Sequence, residues 1–93
     1  MRSQAIATVQ IDNDSVLVTE WRFPPGSQTG QHRHALDYVV VPTVAGTLTI
    51  ESADGPRQVP ITLGQSYTRL AGVEHNVAND TDAEIVFVEV ELR

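Results

Sequence analysis

Residues 26–46 read GSQTGQHRHALDYVVVPTVAG, and residues 64–79 read GQSYTRLAGVEHNVAN. The first stretch contains His32 and His34, and the second contains His75, the third and last histidine of the chain. Alternate side chains of a β-strand share a face, so the imidazoles of the His-x-His pair point the same way and one ion can touch both. Histidine is the commonest metal ligand. A His-x-His pair by itself is equally typical of an ordinary solvated strand, and only the fold can bring His75 to it.

The spacing of both stretches carries more information than the histidine pair. The first has Gly26, five residues, His32-Arg33-His34 and then Gly46; the second has Gly64, five residues, Leu70-Ala71-Gly72, two residues, His75, three residues and Asn79. In this order they resemble the two motifs of the cupin superfamily, G-x5-H-x-H-x3–4-E-x6-G and G-x5-P-x-G-x2-H-x3-N. The resemblance covers residues 26–79 and is to the small, single-domain members, the monocupins.

The resemblance implies a double-stranded β-helix, or jelly-roll barrel, with a metal ion inside. By position, His32, His34 and His75 would be metal ligands, and Asn79 would close the turn of the second motif. The implied cofactor is one divalent transition metal. Imidazole suits several such ions, so iron, manganese, nickel and zinc all remain candidates.

Two positions depart from the cupin motifs. Leu70 replaces the proline of the second motif, which should only loosen a turn. The glutamate of the first motif falls on Val39 with four spacer residues after His34, or on Tyr38 with three, and the distance to Gly46 favours Val39. We therefore expect Val39 to face the ion, which would be held by three neutral imidazoles without a carboxylate. Such an ion keeps its charge and open positions, and should attract anionic or bidentate ligands.

Three further residues are weaker candidates for the site. Asp37 is the nearest carboxylate to the missing glutamate and would compensate for it if the strand were irregular; otherwise it faces solvent. Tyr38 could offer its hydroxyl as acid, base or hydrogen-bond donor, although regular alternation from Val39 points it outward. Arg69 would hold a substrate carboxylate if it points inward, and an outward surface position is about as compatible with the sequence. The catalytic residues are otherwise unknown.

The remaining side chains near the motifs are assigned structural positions. Glu74 should face away from His75, and Arg33 should point out of the barrel. Aromatic residues are few in this chain, so the core or an interface is expected to need them; these are Trp21, Phe23 and Phe87.

The hydrophobic pattern predicts an all-β chain. Residues 4–11 alternate between apolar and polar, residues 16–23 are rich in β-branched and aromatic side chains, and a short apolar strand at residues 39–41 should stop at Pro42. In the last strand, residues 84–92, the valines and Leu92 form one face, and Ile85 and Phe87 the other. No window has an uninterrupted helical pattern. Eight or nine short strands predict a sandwich or barrel, with residues 1–93 as one domain.

Composition excludes several classes of function. The 93 residues include no cysteine and no lysine, which excludes disulfides, thiolate chemistry and Schiff bases. Twelve acidic residues against six arginines give a net charge of −6. This charge argues against nucleic acid and anionic membranes as partners. The N-terminal residues lack the apolar segment of a secretory signal, so we expect a cytoplasmic protein.

Two hypotheses for function follow. The first is a metal-dependent enzyme, oxygenase-like or related, that acts on a small polar or anionic molecule. The second is a non-catalytic cupin that binds a small molecule or a metal as a sensor or store. The segment HRHALDYVVVP, residues 32–42, is similar to that of small cupins placed near β-alanine catabolism, which points to small amino or organic acids. A homodimer is expected, because a small barrel has open sheet edges and its N-terminal strand can pair with a partner.

Overall fold

Eleven strands and no helix make up the computed structural model, which describes residues 1–93. The strands are β1 (Ser3–Gln4), β2 (Ile6–Asp12), β3 (Val16–Phe23), β4 (Ser27–Gln28), β5 (His32–Arg33), β6 (Tyr38–Val44), β7 (Gly46–Ser52), β8 (Gly55–Ile61), β9 (Tyr67–Arg69), β10 (Glu74–Asn79) and β11 (Ile85–Leu92). Three of them, β1, β4 and β5, have only two residues. These account for the excess over the eight or nine strands that the sequence predicts.

The strands form two sheets that share one apolar core. One sheet has the order β1-β4-β10-β7-β8, with β5 also paired to β10, and the other has the order β2-β3-β11-β6-β9. All neighbours are antiparallel except β1 and β4. Buried side chains from both sheets meet in the core, including Phe23, Leu48, Val77 and Phe87. The histidine-bearing strands β5 and β10 therefore lie against the strands of the opposite sheet.

Strand β6 continues through Pro42, contrary to the prediction that it would stop there. Its pairing with β11 shifts register: Pro42 lies opposite Phe87 and Val44 lies opposite Val86, so Thr43 is an extra residue. A β-bulge of this kind is one of the few places where a strand accepts proline. The bulge also changes which side chains of β6 face inward, because it interrupts the alternation between Gly46 and the start of the strand.

Gly46 begins β7 at a point where the two sheets approach closely. A Cβ atom built on Gly46 would lie 2.6 Å from Cγ1 of Ile85, which is buried in β11. No side chain fits in this gap, so the glycine at the end of the first motif is required by packing. Glycine is needed here because Ile85 approaches the backbone closely, and not because the backbone adopts a conformation that favours glycine.

Strand β2 lies at the free edge of its sheet, and all seven of its residues are exposed. Its apolar side chains Ile6, Val9 and Ile11 are about half exposed. The structure contains no helix of the length and apolar character that crossing a membrane requires.

Candidate metal centre

The three histidines converge at one point between the sheets. Nε2 of His34 lies 3.0 Å from Nε2 of His32 and 3.2 Å from Nε2 of His75. One ring nitrogen from each residue lies within 4.8 Å of the others, an arrangement that could hold a metal ion. The structure thus brings together the three residues that the sequence predicts as ligands.

Backbone pairing explains why the two motifs meet. His32 in β5 is directly opposite His75 in β10. Beyond β5, the His34 amide donates to the Val73 carbonyl at 2.9 Å, and the His34 carbonyl accepts from the Gly72 amide at 2.7 Å. Gly72 has a φ of +94°, a conformation that favours glycine. The turn that precedes His75 in the second motif is therefore hydrogen-bonded to the backbone of the first motif.

A hydrogen bond sets the orientation of the His32 ring. Its Nδ1 lies 2.8 Å from the Gly30 carbonyl, which can only accept, so Nδ1 carries the proton and Nε2 of the neutral ring keeps its lone pair. Gly30 is itself held, because its amide donates to Oδ1 of Asn76 at 2.9 Å. The Asn76 amide nitrogen donates in turn to Gln28 and Glu51. This chain of contacts directs a free nitrogen toward the other two histidines.

Burial keeps the other two rings uncharged. His34 and His75 are both buried. Burial lowers the pKa of His34 to about 4, with a smaller contribution from His32. Burial also lowers the pKa of His75 to about 4, and the neighbouring histidines and the charges of Arg57 and Arg69 lower it further. Protons therefore compete weakly for the nitrogens that a metal would need.

The donor set fits a divalent transition metal. Imidazole nitrogens bind such ions at about 2.0–2.1 Å, which places neighbouring nitrogens roughly 2.9–3.4 Å apart for octahedral to tetrahedral angles. The two separations of 3.0 and 3.2 Å lie in this range. Nitrogen lone pairs this close repel unless they share a proton or a cation.

Tyr38, and not Val39, faces the site, which corrects the expectation from the sequence. Tyr38 is buried and its ring stacks on His34 with centroids 4.0 Å apart, whereas Val39 is only half-buried, between two inward residues, Tyr38 and Val40. Counting back from Gly46 gave the wrong face because Thr43 adds one residue to the strand. Burial, with help from Glu89, raises the pKa of Tyr38 to about 12, so the hydroxyl stays protonated.

Asp37 does not compensate for the missing glutamate. It is exposed, and its Oδ1 accepts a hydrogen bond from the Ala71 amide at 2.7 Å. Glu74 is exposed beside the buried His75, as expected. Arg33 is also exposed, as predicted, and lies at the rim of a cavity next to His32 and His34.

Glu89 is a buried acid that the sequence interpretation missed. It lies in β11 on the inward face with Ile85 and Phe87. Its Oε1 is 4.0 Å from Nδ1 of His34. Burial raises the pKa of Glu89 to about 8, and the nearby charge of Glu91 raises it further. The period of two in β11 could have found it, since Glu89 shares the parity of Phe87.

Two cavities flank the histidines. One, of about 340 Å³, is lined by His32 and His34; the other, of about 30 Å³, is lined by His75, Tyr38 and Arg69. The sequence allows Arg69 either an inward position or an outward surface position. In the structure Arg69 lines the smaller cavity. Both cavities share Glu89 as a lining residue.

The other predicted positions are structural. Phe23 and Phe87 are core residues, and Trp21 packs against the core and lines the larger cavity. Asn79 is fully buried and donates to the carbonyls of Phe23 and Ala83 while it accepts from Thr81, so it closes the turn as expected. Leu70, at the position of the motif proline, is exposed.

The chain is similar to known cupin proteins. The family model "Cupin domain" matches residues 19–91. The β-alanine degradation protein BauB of Pseudomonas aeruginosa is 58% identical over 92 residues, which is 99% of this chain and 97% of that protein.

Solved structures show the same architecture. The crystal structure of a cupin domain from Bordetella pertussis superposes with a TM-score of 0.98 and 58% identity, covering 100% of this chain and 97% of that one. A double-stranded β-helix protein from Klebsiella pneumoniae has a TM-score of 0.79 at 19% identity, covering 96% of this chain and 76% of that one, a likeness of fold alone. The predicted all-β double-stranded β-helix is confirmed.

Proposed function

Because this chain belongs to the cupin family, we propose that it is a small metal-dependent enzyme acting on a small polar or anionic molecule. One observation carries the proposal: three imidazole Nε2 atoms converge between two cavities. Nε2 of His34 lies 3.0 Å from that of His32 and 3.2 Å from that of His75. His32, His34 and His75 would hold one divalent ion. The bound ion would supply Lewis acidity and open positions for a ligand.

The surrounding side chains supply binding and proton chemistry. Tyr38, whose pKa of about 12 keeps its hydroxyl protonated, is a hydrogen-bond donor to a ligand in the smaller cavity. Val77 and Phe87 line both cavities and are the apolar side chains that the two have in common. Glu89 holds a proton at neutral pH, because its pKa is about 8, and can exchange that proton with a bound ligand.

Glu89 also favours an enzyme over a purely binding protein. A buried carboxyl with a perturbed pKa beside a histidine cluster is typical of functional sites. The alternative is a cupin that binds a metal or small molecule without turnover. The turnover experiment below distinguishes it from an enzyme.

The relative from P. aeruginosa supports the choice of substrate class. Its name assigns it to the degradation of β-alanine, a small molecule with one carboxylate and one amine. At 58% identity over 99% of this chain, we carry over the coarse class, a small amino or organic acid. We also propose that the chain forms one domain and assembles as a homodimer through the exposed edge strand β2.

Metal loading tests the proposed function. Protein purified without chelators or a histidine tag, then supplied with iron(II), manganese, nickel or zinc, should retain about one ion per chain by elemental analysis. His75→Ala should lower occupancy sharply, because two imidazoles hold an ion weakly. Glu74→Ala, which alters the exposed neighbour in β10, is the matched control and should keep full occupancy. A wild-type protein that retains none of the four metals would show the proposal to be wrong.

Turnover distinguishes the two candidate functions. The metal-loaded protein is incubated in air with a set of small carboxylic and amino acids, and their consumption is followed by proton NMR. An enzyme consumes at least one of them, and the His75→Ala variant does not. Binding of these acids without any consumption would favour the non-catalytic alternative.

A further inference from the structure

The six arginines divide into two groups. Three of them form ion pairs at the surface, with partners as follows: Arg2 with Glu51 and Asp80, Arg22 with Glu20 and Glu84, and Arg93 with Asp12. The other three, Arg33, Arg57 and Arg69, form none, although acidic residues outnumber arginines twelve to six. All three unpaired arginines line a cavity next to the histidines. Cations left unpaired in an acidic protein are available for an anionic ligand.

Two of these arginines share the smaller cavity and come from different sheets. Arg57 lies in β8, at the end of one sheet, and Arg69 lies in β9, at the end of the other. The Arg69 guanidinium is held over the Tyr67 ring, with Cζ 4.6 Å from the centroid, and donates to the Thr68 carbonyl. This contact holds the Arg69 cation beside Tyr67, which also lines the cavity.

The smaller cavity has a net positive lining. Of its 12 lining residues, eight are hydrophobic, and the charged ones are Arg57, Arg69 and Glu89. Two cations therefore face one acid, in surroundings where apolar walls strengthen the attraction for an anion. The larger cavity has no such excess of positive charge, because Glu91 balances its one cation, Arg33, when Glu89 is protonated.

The sizes of the cavities restrict what can enter each one. About 30 Å³ admits an end group of a few heavy atoms, whereas about 340 Å³ on the other side admits the body of a small molecule. The two cavities have three lining residues in common, Val77, Phe87 and Glu89. His75 lines the smaller cavity beside the two arginines. A ligand can thus place a charged end group at the arginines and still contact the histidine cluster.

We propose that Arg57 and Arg69 bind the carboxylate of a small organic acid, which enters the smaller cavity end-on, with the rest of the molecule directed to the histidines. This inference rests on the proposed function and extends it by naming the group that is recognised and the residues that recognise it. Guanidinium groups suit the planar carboxylate because they donate two parallel hydrogen bonds.

Calorimetric titration of the metal-loaded and the metal-free protein tests the inference, with propanoate, its uncharged analogue propanamide, and inorganic phosphate as probes. Propanoate should bind both forms, and propanamide should bind at least about tenfold more weakly, because a charged hydrogen bond is lost. Phosphate should bind more weakly than propanoate, because the cavity is too small for a second set of anionic oxygens. Equal affinity for propanamide or for phosphate would overturn the assignment of a carboxylate.

Variants locate the contact. Arg57→Gln and Arg69→Gln should each weaken propanoate binding about tenfold, while Arg57→Lys and Arg69→Lys should recover only part of this loss, because lysine keeps the charge but cannot donate two parallel hydrogen bonds. Arg22→Gln, whose side chain pairs with Glu84 away from both cavities, is the matched control and should bind like wild type. A loss confined to Arg33→Gln would overturn the assignment to the smaller cavity.

Metal content and melting temperature are measured on every variant. All should load metal and fold like wild type, because Arg57 and Arg69 contact no ligand nitrogen in the structure. A wild type that takes up no metal but binds propanoate through the two arginines would refute the proposed function and leave this inference standing. A wild type that takes up metal and binds propanoate equally well in all arginine variants would refute only the inference.

Discussion

Oε1 of Glu89 lies 4.0 Å from Nδ1 of His34, and both side chains are more than nine-tenths buried. Although the distance suits an ion pair, both groups are neutral at pH 7. Burial raises the pKa of Glu89 to about 8 and lowers that of His34 to about 4, so the acid keeps its proton and the imidazole lacks one. The interior of the barrel therefore avoids buried charge at neutral pH, and the pH dependence of stability should reveal it.

The metal-free protein should be most stable near pH 6.5. Between about pH 4 and 6.5 the unfolded chain binds protons that native His34 and His75 refuse, so stability rises with pH. Between about pH 4.5 and 8 native Glu89 holds a proton that the unfolded chain releases, so stability falls with pH. Below pH 6.5 the effect of the two histidines on stability is larger than that of the one acid. Above pH 6.5 only the acid contributes, so stability falls with pH. Urea unfolding across pH 4–9 measures the curve.

The Glu89→Gln variant isolates the alkaline side of this curve. In this variant stability should no longer fall between pH 6.5 and 8. It should still fall on acidification, because the histidines are unchanged. Glu74→Gln, at an exposed position, should reproduce the wild-type curve. An alkaline fall that persists in Glu89→Gln would assign it to another group.

A carboxylate at position 38 should reach the histidine cluster, whereas one at position 39 should not. Tyr38→Glu places the acid on the inward face of β6 beside His34. We expect the variant to be destabilised without metal, by the several kcal/mol that a buried carboxylate costs, and to recover much of this with metal. Thermal unfolding with excess zinc and with chelator measures both states.

Two controls accompany this substitution. Tyr38→Gln removes the ring without adding a ligand, so it should be destabilised by similar amounts in both conditions. Val39→Glu should show the same metal-dependent shift as wild type, because this side chain does not point to the histidines. A larger metal-dependent shift for Val39→Glu than for Tyr38→Glu would mean that β6 has the opposite orientation.

Gly46→Ala should destabilise the fold by about 1–3 kcal/mol, the usual cost of overpacking. The added Cβ would lie 2.6 Å from Cγ1 and 2.7 Å from Cδ1 of Ile85. In an Ile85→Ala background these atoms are absent, so the same glycine substitution should cost much less. Chemical unfolding of the two single variants and the double variant gives the coupling. Equal costs in both backgrounds would place the clash elsewhere.

The proposed dimer is tested at the edge strand β2. Light scattering at micromolar concentration should give about twice the mass of one chain, because pairing at this free edge covers apolar surface and backbone groups. Val9→Asp should shift the mass toward the monomer, while Thr8→Asp, at a polar exposed position of the same strand, should shift it less. A wild-type sample that contains only the single-chain mass would contradict the proposal.

Much of the site could be predicted from short-range spacing. Because side chains alternate along extended backbone, His32 and His34 had to share a side whatever the rest of the chain did. The ordered pair of motifs also predicted that His75 would join the other two histidines and that Asn79 would close a turn, which is where the structure places them. The motif spacing back from Gly46 placed Val39 instead of Tyr38 on the inward face, because one bulged residue, Thr43, lengthens this interval and reverses the inward and outward assignments before it.

The sequence alone determined the all-β character of the chain and, through its resemblance to the two cupin motifs, the barrel fold and the three histidines, since strand pattern and motif spacing depend on residue identity and local geometry. Only the tertiary structure decided which of Tyr38 and Val39 faces the three histidines, that Glu89 lies beside His34, and that Arg57 and Arg69 meet at one cavity. The physical reason is that burial and charge balance are properties of packed neighbours. Strands β6, β8, β9 and β11 become neighbours of the site only when the two sheets close on each other.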